Sequence, residues 1–176
     1  MTMQLAFESA TACDARALVT LRTAVAHDMT RRYGAGHWSA CPRKAEVVKQ
    51  IRASRVLVAR RNADIIGTVR LTRALPWAID SIAFSPVATA LYVLGLAVAP
   101  DARGQGVGRR LIDAAKEAAR VMAADALWLD AYDHAAGAGR FYLANGFRAV
   151  GRTKYREVPL VYYEWLVHAH ADTAAS

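Results

Sequence analysis

Cysteine, acidic side chains and long apolar runs are all scarce in this sequence. Its 176 residues contain two cysteines, Cys13 and Cys41, which are too few for a disulfide framework or a metal site. Although 55% of the residues are hydrophobic, no apolar run approaches the roughly 20 residues of a membrane-spanning helix. Residues 1–10 lack a basic segment followed by an apolar core, so we expect no signal peptide. These absences predict a cytoplasmic protein with no membrane segment and no bound metal.

The shortage of acidic residues leaves the chain strongly basic. There are 23 lysines and arginines against 15 acidic residues, a formal net charge of +8, which suits a nucleic acid or an anionic small molecule. The basic residues form short clusters at Arg31-Arg32, Arg60-Arg61 and Arg109-Arg110, without a run that alternates with aromatic residues. We therefore expect a small anionic ligand and no nucleic acid. The length predicts one domain over residues 1–168, followed by a frayed tail at 169–176.

The most informative stretch is residues 91–122, where an apolar strand meets a glycine-rich loop and a helix. Gly104, Gly106 and Gly108 stand at alternate positions among arginines, and the apolar period then becomes that of a helix. The backbone N–H groups of such a loop and the positive end of the helix dipole bind anions, phosphate best of all. A Walker loop is excluded because Arg109-Arg110 follows Gly108, and the glycine spacing does not match a dinucleotide fingerprint.

Apolar periodicity predicts strands and helices through the rest of the chain. We predict strands at residues 3–8, 55–61, 65–73, 90–98, 126–131, 147–156 and 160–167. We predict helices that begin near Thr11 and at Pro42, and helices at residues 106–122 and 135–144. Asn145-Gly146 is expected to end the last helix as a left-handed cap. The last two strands are expected to turn at residues 157–159.

Two segments resemble the GNAT acyltransferase family. The run Arg103-Gly104-Gln105-Gly106-Val107-Gly108 is similar to the family's acetyl-CoA loop, and the lead-in from Leu96 to Pro100 is similar to its strand. Downstream, Phe141-Tyr142-Leu143-Ala144-Asn145-Gly146-Phe147 is similar to the family's Leu-Tyr-x-x-x-Gly-Phe segment. The resemblance covers residues 55–167. It implies an α/β (α+β) fold: a mixed, mostly antiparallel sheet of six or seven strands with helices on both faces.

The resemblance also implies acetyl-CoA (coenzyme A) as the cofactor and indicates the residues that hold it. Gly95 would form a bulge that frees a strand edge, so that pantetheine pairs with the backbone like an added strand. The glycines of the loop would let the pyrophosphate approach closely. The implied cofactor-binding residues are Leu96, Ala97, Val98, Arg103, Gly104, Gln105, Gly106, Val107, Gly108 and Arg109.

The implied chemistry is transfer of an acetyl group to a primary amine that attacks the thioester directly. Tyr142 would protonate the departing thiolate, as the tyrosine of this segment does in the family. Many relatives have a glutamate as general base on the strand before the loop, but residues 90–98 hold no carboxylate. Asp80 is our candidate for the base, with Asp133, His134 or a base that acts through water as alternatives.

No motif indicates which amine is the acceptor. We expect a small-molecule or peptide amine in a site lined by His37, Trp38, Trp77 and Tyr92, and the sequence leaves a homodimer open. Ala135 stands where relatives often have an asparagine that contacts the cofactor. The missing strand carboxylate supports a second hypothesis, a non-catalytic acyl-CoA sensor or interaction module.

Overall fold

The computed structural model describes residues 5–167. The strands are β1 (Leu5–Ser9), β2 (Arg55–Arg61), β3 (Asp64–Thr72), β4 (Ala90–Val98), β5 (Ala126–Tyr132), β6 (Arg148–Tyr155) and β7 (Val158–Leu166). The helices are α1 (Ala15–Tyr33), α2 (Lys44–Ala53), α3 (Val107–Val121) and α4 (Gly139–Ala144). Short 3-10 turns lie at Ala12–Asp14, His37–Ser39, Ser81–Ala83 and Pro100–Ala102. The predicted tail at 169–176 lies outside the described residues.

The strands form one seven-stranded sheet in the order β1-β2-β3-β4-β5-β7-β6. Four neighbouring pairs (β1–β2, β2–β3, β5–β7 and β6–β7) are antiparallel. A parallel ladder joins Ala90–Tyr92 of β4 to Ala126–Trp128 of β5. The predicted mixed, mostly antiparallel sheet is therefore confirmed, with seven strands.

The chain divides into two compact units, and the boundary between them falls within β4 and within α3. The first unit holds the residues up to Thr72 together with Leu94–Ala115, and the second holds Arg73–Val93 together with the residues from Lys116 onward. The prediction of a single domain stays a prediction.

In the first unit, helices cover both faces of the sheet. Val56 and Val58 of β2 pack with α1 and α2 in one apolar cluster. Gly67 of β3 lies opposite Ala59, the residue after Val58. Because successive residues of a strand alternate between the two faces, Ala59 and Gly67 lie on the other face of the sheet. There it meets α3, since a Cβ at Gly67 would lie 2.9 Å from Leu111 Cδ1. Glycine at this position lets α3 seat closely on the strand.

In the second unit, different residues pack against the two faces of β5 and β7. On one face an aromatic cluster packs around Phe84, Trp128 and Tyr162, with the Phe84 and Trp128 rings stacked at 4.4 Å. On the other face Tyr163 of β7 contacts Tyr142 of α4, with ring centroids 5.9 Å apart. Helix α4 and the 73–89 connection therefore contact opposite faces of these strands.

Three predicted boundaries are wrong. Helix α2 begins at Lys44 rather than at Pro42, because Arg43 still has an extended backbone (φ -87°, ψ 148°). Helix α4 begins at Gly139 rather than at residue 135, because the chain turns at Gly137, whose N–H donates to His134 O over 2.8 Å. The last hairpin turns at Arg156 and Glu157, both with positive φ (48° and 65°), rather than at residues 157–159. Residues 158 and 159 already belong to β7, since the two-residue turn is tighter than we predicted.

Candidate active site

The glycine loop between β4 and α3 has the conformation that an anion cradle needs. Gly104 and Gly106 have φ values of +74° and +79°, in the left-handed region that side chains rarely adopt. A Cβ added at either position would meet nothing within 4 Å. These glycines are therefore required by the backbone turn, and the space above them is open to a ligand.

The N-terminus of α3 follows this loop directly. Its first helical hydrogen bond runs from Arg110 N to Gly106 O over 3.1 Å. The N–H groups of Val107, Gly108 and Arg109 precede that bond and have no carbonyl one turn earlier in the helix to accept them. Together with the helix dipole they favour a negative charge. The loop and the first turn of α3 thus form a backbone site for phosphate.

The polar side chains of the loop are held by the protein itself. Arg103 Nη1 donates to Asp28, a buried carboxylate of α1 that also pairs with Arg31. The hydrogen bond from Arg103 lowers the pKa of Asp28 below its ordinary value. Gln105 Nε2 donates to Asp101 O over 2.8 Å. Arg103 therefore anchors the loop to α1, and its predicted contact with the cofactor stays a prediction.

Gly95 interrupts β4 just before the segment predicted to pair with pantetheine. Its φ of +59° is incompatible with a regular strand, as the predicted bulge requires. The following residues, Leu96, Ala97 and Val98, are half-buried. The strand then rejoins β3 through the Ala99 N–H, which donates to Ile66 O over 2.8 Å.

Tyr142 of α4 is buried among other aromatic rings. Its ring packs edge-on against Phe141 and Phe147. The helix ends in a Schellman cap: Phe147 N donates to Tyr142 O, and Gly146, at φ +80°, donates to Leu143 O, both over 3.1 Å. The predicted left-handed cap is confirmed, and it places the tyrosine one turn before the glycine.

The hydroxyl of Tyr142 keeps its proton at neutral pH, which a general acid requires. No residue between 5 and 167 forms a hydrogen bond with it. Burial raises the pKa of Tyr142 well above its ordinary value, and the charge of Asp130 raises it further. The group is therefore a protonated phenol at neutral pH.

Asp130 is a carboxylate that our reading of the sequence missed. It lies half-buried on β5, opposite Tyr162 of β7. Burial raises its pKa above the ordinary aspartate value. Within the described part of the chain no lysine or arginine lies at ion-pair distance from it. The signal was present in Leu127-Trp128-Leu129-Asp130-Ala131, where one acid interrupts an apolar strand.

Comparison with known proteins decides the family. The family model described as acetyltransferase (GNAT) domain matches residues 52–149, more than half of the chain. This chain belongs to the GNAT acetyltransferase family. No curated protein matches the sequence at a significant level.

Solved structures show the same fold at low sequence identity. The yncA protein of Salmonella typhimurium, solved with its cofactor acetyl-CoA, is 17% identical, and the match covers 98% of this chain and 99% of that one at a TM-score of 0.69. The paia N-acetyltransferase of Thermoplasma acidophilum, solved with coenzyme A, is 14% identical, with 93% and 100% covered and a TM-score of 0.71. The ribosomal-protein-alanine N-acetyltransferase of Brucella melitensis is 20% identical, with 92% and 99% covered and a TM-score of 0.69.

The bases predicted for this GNAT chain already have local partners. Asp80 is exposed, and its Oδ1 accepts the Ile82 N–H over 3.1 Å as the cap of a short turn. Asp133 pairs with Arg152. His134 Nδ1 accepts the Ala136 N–H over 3.0 Å. These contacts give each residue a structural role, so Asp130 becomes a stronger candidate than Asp80.

The four residues predicted to line the acceptor site of this GNAT chain fall in different environments. In the first unit His37 and Trp38 form a 3-10 turn, where Trp38 Nε1 donates to Gly34 O over 3.0 Å. In the second unit Trp77 is 85% exposed, while Tyr92 is buried against Trp128. Tyr92 packs in the aromatic cluster. The contribution of all four residues to the acceptor site stays a prediction.

The described residues contain neither a membrane-spanning helix nor a cluster of metal-binding side chains. No helix between residues 5 and 167 is long and apolar enough to cross a bilayer. No group of three or more histidine, cysteine or acidic side chains in that range could hold a metal ion. The cytoplasmic location and the homodimer stay predictions.

Proposed function

We propose that this protein is an acetyl-CoA-dependent N-acetyltransferase that acetylates a primary amine by direct attack on the thioester. The observation that carries the proposal is the loop with left-handed Gly104 and Gly106, which leads into the free N–H groups at the start of α3. Membership in the GNAT family and the acetyl-CoA and coenzyme A bound to yncA and paia support the same donor.

The donor would be held mainly by backbone groups. Its pyrophosphate suits the N–H groups of the loop and of Val107, Gly108 and Arg109. Arg109 is exposed beside them and can add charge. The backbone of Leu96, Ala97 and Val98, displaced from regular pairing at Gly95, would take the pantetheine as an added strand. When bound, acetyl-CoA supplies an acetyl group activated as a thioester.

Two side chains of the second unit, Asp130 and Tyr142, suit the proton transfers. They lie on opposite faces of β5 and β7, but the charge of Asp130 still acts on Tyr142 and raises its pKa. The amine must lose a proton before or during its attack, and Asp130 has a pKa raised by burial, which makes it a better base than an ordinary aspartate. Tyr142 keeps its proton at neutral pH and can give it to the departing sulfur. A backbone N–H near Ala97 or Val98 would stabilise the negative charge on the carbonyl oxygen.

The acid role of Tyr142 is tested by coenzyme A release from Tyr142→Phe with an amine that the wild type acetylates. We expect the turnover number to fall roughly 10²- to 10⁴-fold, while a thermal-shift titration shows unchanged affinity for acetyl-CoA. Tyr155→Phe, in the hairpin between β6 and β7, is the matched control and should keep full turnover. Unchanged turnover in Tyr142→Phe would disprove the acid role.

The same assays separate the enzyme from a sensor. A wild-type protein that binds acetyl-CoA but releases no coenzyme A with any member of a broad amine panel would favour the non-catalytic acyl-CoA sensor. Steeply salt-dependent binding to DNA or RNA, with no effect of acetyl-CoA, would instead indicate a nucleic-acid module.

A further inference from the structure

Two half-buried arginines of the first unit lie on the same side of the sheet, close enough for the charge of one to act on the other. Arg22 lies on α1 and Arg70 on β3. Arg70 stands opposite Val56, on the sheet face that α1 and α2 cover. Arg22 Nη1 donates to Gln50 Oε1 over 2.7 Å. Its Nη2 would lie 3.6 Å from a Cβ built at Gly95, so the guanidinium lies against the bulge of β4.

Neither arginine has an acidic partner, whereas three other half-buried arginines of this unit do. Arg60 pairs with Glu8 and Asp14, Arg61 with Asp101, and Arg103 with Asp28. Within residues 5–167 no carboxylate lies at ion-pair distance from Arg22 or Arg70.

The environment of the pair is unfavourable for two positive charges. Burial lowers the pKa of both guanidinium groups, and the charge of Arg70 lowers that of Arg22 further. Partly desolvated like charges repel each other and destabilise the fold unless an anion joins them. Such an arrangement is typical of a binding site whose ligand supplies the missing negative charge.

We propose that Arg22 and Arg70 together bind the carboxylate of the acceptor, so that the acceptor is an amine that also carries a carboxylate, such as an amino acid or a short peptide. The assignment rests on the proposed acetyl transfer. Its geometry comes from Arg22, whose guanidinium lies against Gly95 and therefore next to the segment of β4 proposed to hold pantetheine. The pair lies on a different element from the glycine loop, so the phosphates of the donor have a separate site.

The first test is a binding measurement that does not depend on turnover. The probes are a panel of N-acetyl-L-amino acids and their carboxamides, matched in size and different in one charge, titrated by calorimetry into protein saturated with coenzyme A. We expect at least one acid to bind about tenfold or more tightly than its amide. In Arg22→Gln and Arg70→Gln that preference should disappear, while the affinity for coenzyme A is unchanged.

Arg16→Gln is the matched control, because Arg16 is exposed on the same helix and its loss removes one charge without touching the pair. It should keep the preference for the acids. The thermal midpoint of Arg70→Gln should not fall below that of the wild type, since a desolvated charge is removed. Equal binding of acids and amides, or a preference that survives both substitutions, would overturn the inference.

The second test is turnover with amino acids, dipeptides and their amides. We expect a higher kcat/KM for the acids in the wild type and a ratio near one in the two variants. A preference for dipeptides over amino acids would identify the peptide C-terminus as the source of the carboxylate. If acids bind through Arg22 and Arg70 but nothing is acetylated, the proposed function fails and the carboxylate site stands. If only the amides are acetylated, the inference fails and the proposed function stands.

Discussion

Asp130 and Glu164 are carboxylates on the same face of neighbouring strands, yet they have opposite environments. Glu164 stands opposite Trp128 and Asp130 opposite Tyr162, so the two are diagonal neighbours across β5 and β7. Glu164 is fully buried, and it accepts the Ser85 N–H over 2.9 Å, the Ser85 hydroxyl over 2.8 Å and Arg148 Nε over 2.7 Å. Asp130 has no such donors among the described side chains.

Burial acts on both carboxyl groups, and the contrast shows that hydrogen-bond donors determine the direction in which the pKa finally shifts. Burial pushes the pKa of Glu164 up, but the bonds from Ser85 and Arg148 outweigh it and the pKa is lowered. Burial raises the pKa of Asp130 with no side-chain donor to oppose it. A satisfied carboxylate stabilises the fold, whereas an unsatisfied one is available for chemistry.

The largest effect that would follow from this contrast is on catalysis. Asp130→Asn removes the proposed base with little change in shape, so we expect kcat to fall roughly 10²- to 10⁴-fold. Coenzyme A release measured with an acceptor of the wild type is the readout. Glu164→Gln, the parallel change at the neighbouring site, should keep turnover within a few-fold. A fully active Asp130→Asn enzyme would show that Asp130 is not the general base.

The next effect is on stability and is expected at the other residue. Glu164→Gln replaces a charged acceptor by a neutral amide, so the bonds from Ser85 and Arg148 weaken. We expect a loss of about 1–3 kcal/mol in the free energy of unfolding, at the low end because Arg148 is largely exposed. Urea denaturation at neutral pH measures it. A variant as stable as the wild type would mean that these contacts do not stabilise the fold.

A smaller effect of opposite sign is expected for the stability of Asp130→Asn. The neutral amide no longer has to lose the hydration of a charge, so the free energy of unfolding should rise by less than about 1 kcal/mol. Removing that charge should also bring the pKa of Tyr142 closer to its ordinary value. Denaturation and an ultraviolet titration of the tyrosines measure the two changes. A destabilised Asp130→Asn protein would indicate a structural bond at this carboxylate.

The stability differences of both variants are expected to depend on pH. The folded pKa of Glu164 is lowered, so its stabilisation is complete above the ordinary pKa of a glutamate and is lost as pH falls through the folded value. The folded pKa of Asp130 is raised, so its penalty is complete above that raised value, shrinks as pH falls through it and is gone below the ordinary pKa of an aspartate. Both variants should therefore approach the wild-type stability in acid, Asp130→Asn at the higher pH. Convergence in the reverse order would contradict the assigned pKa directions.

Local patterns in the sequence predicted most of the elements. Strands β2 and β4 lie where apolar periodicity put them, because side chains alternate at the period of the backbone itself. The glycine loop and the cap at Gly146 were also predictable, since a left-handed residue is a local requirement that glycine meets. The start of α4 was not, because it depends on a turn packed against the end of β5.

The pairs that define the candidate site were not predictable in the same way. Asp28 looked like one more charge on a helix until the fold brought it to Arg103, 75 residues along the chain. Arg22 and Arg70 become a pair of charges without an acidic partner only because α1 covers that part of β3. The identity of a side chain is local, but its partners are set by which elements pack together.

The strand, the glycine loop and the helix of the donor site follow from the sequence alone, because backbone conformation and the helix dipole depend on residues close in the chain. Which charges have partners depends on how distant elements pack together. Asp130 and Glu164 are acids of the same kind in the sequence, 34 positions apart. They differ because the 73–89 connection brings Ser85 to one of them and no donor side chain to the other. Desolvation acts on both, and the donors that folding supplies determine the outcome.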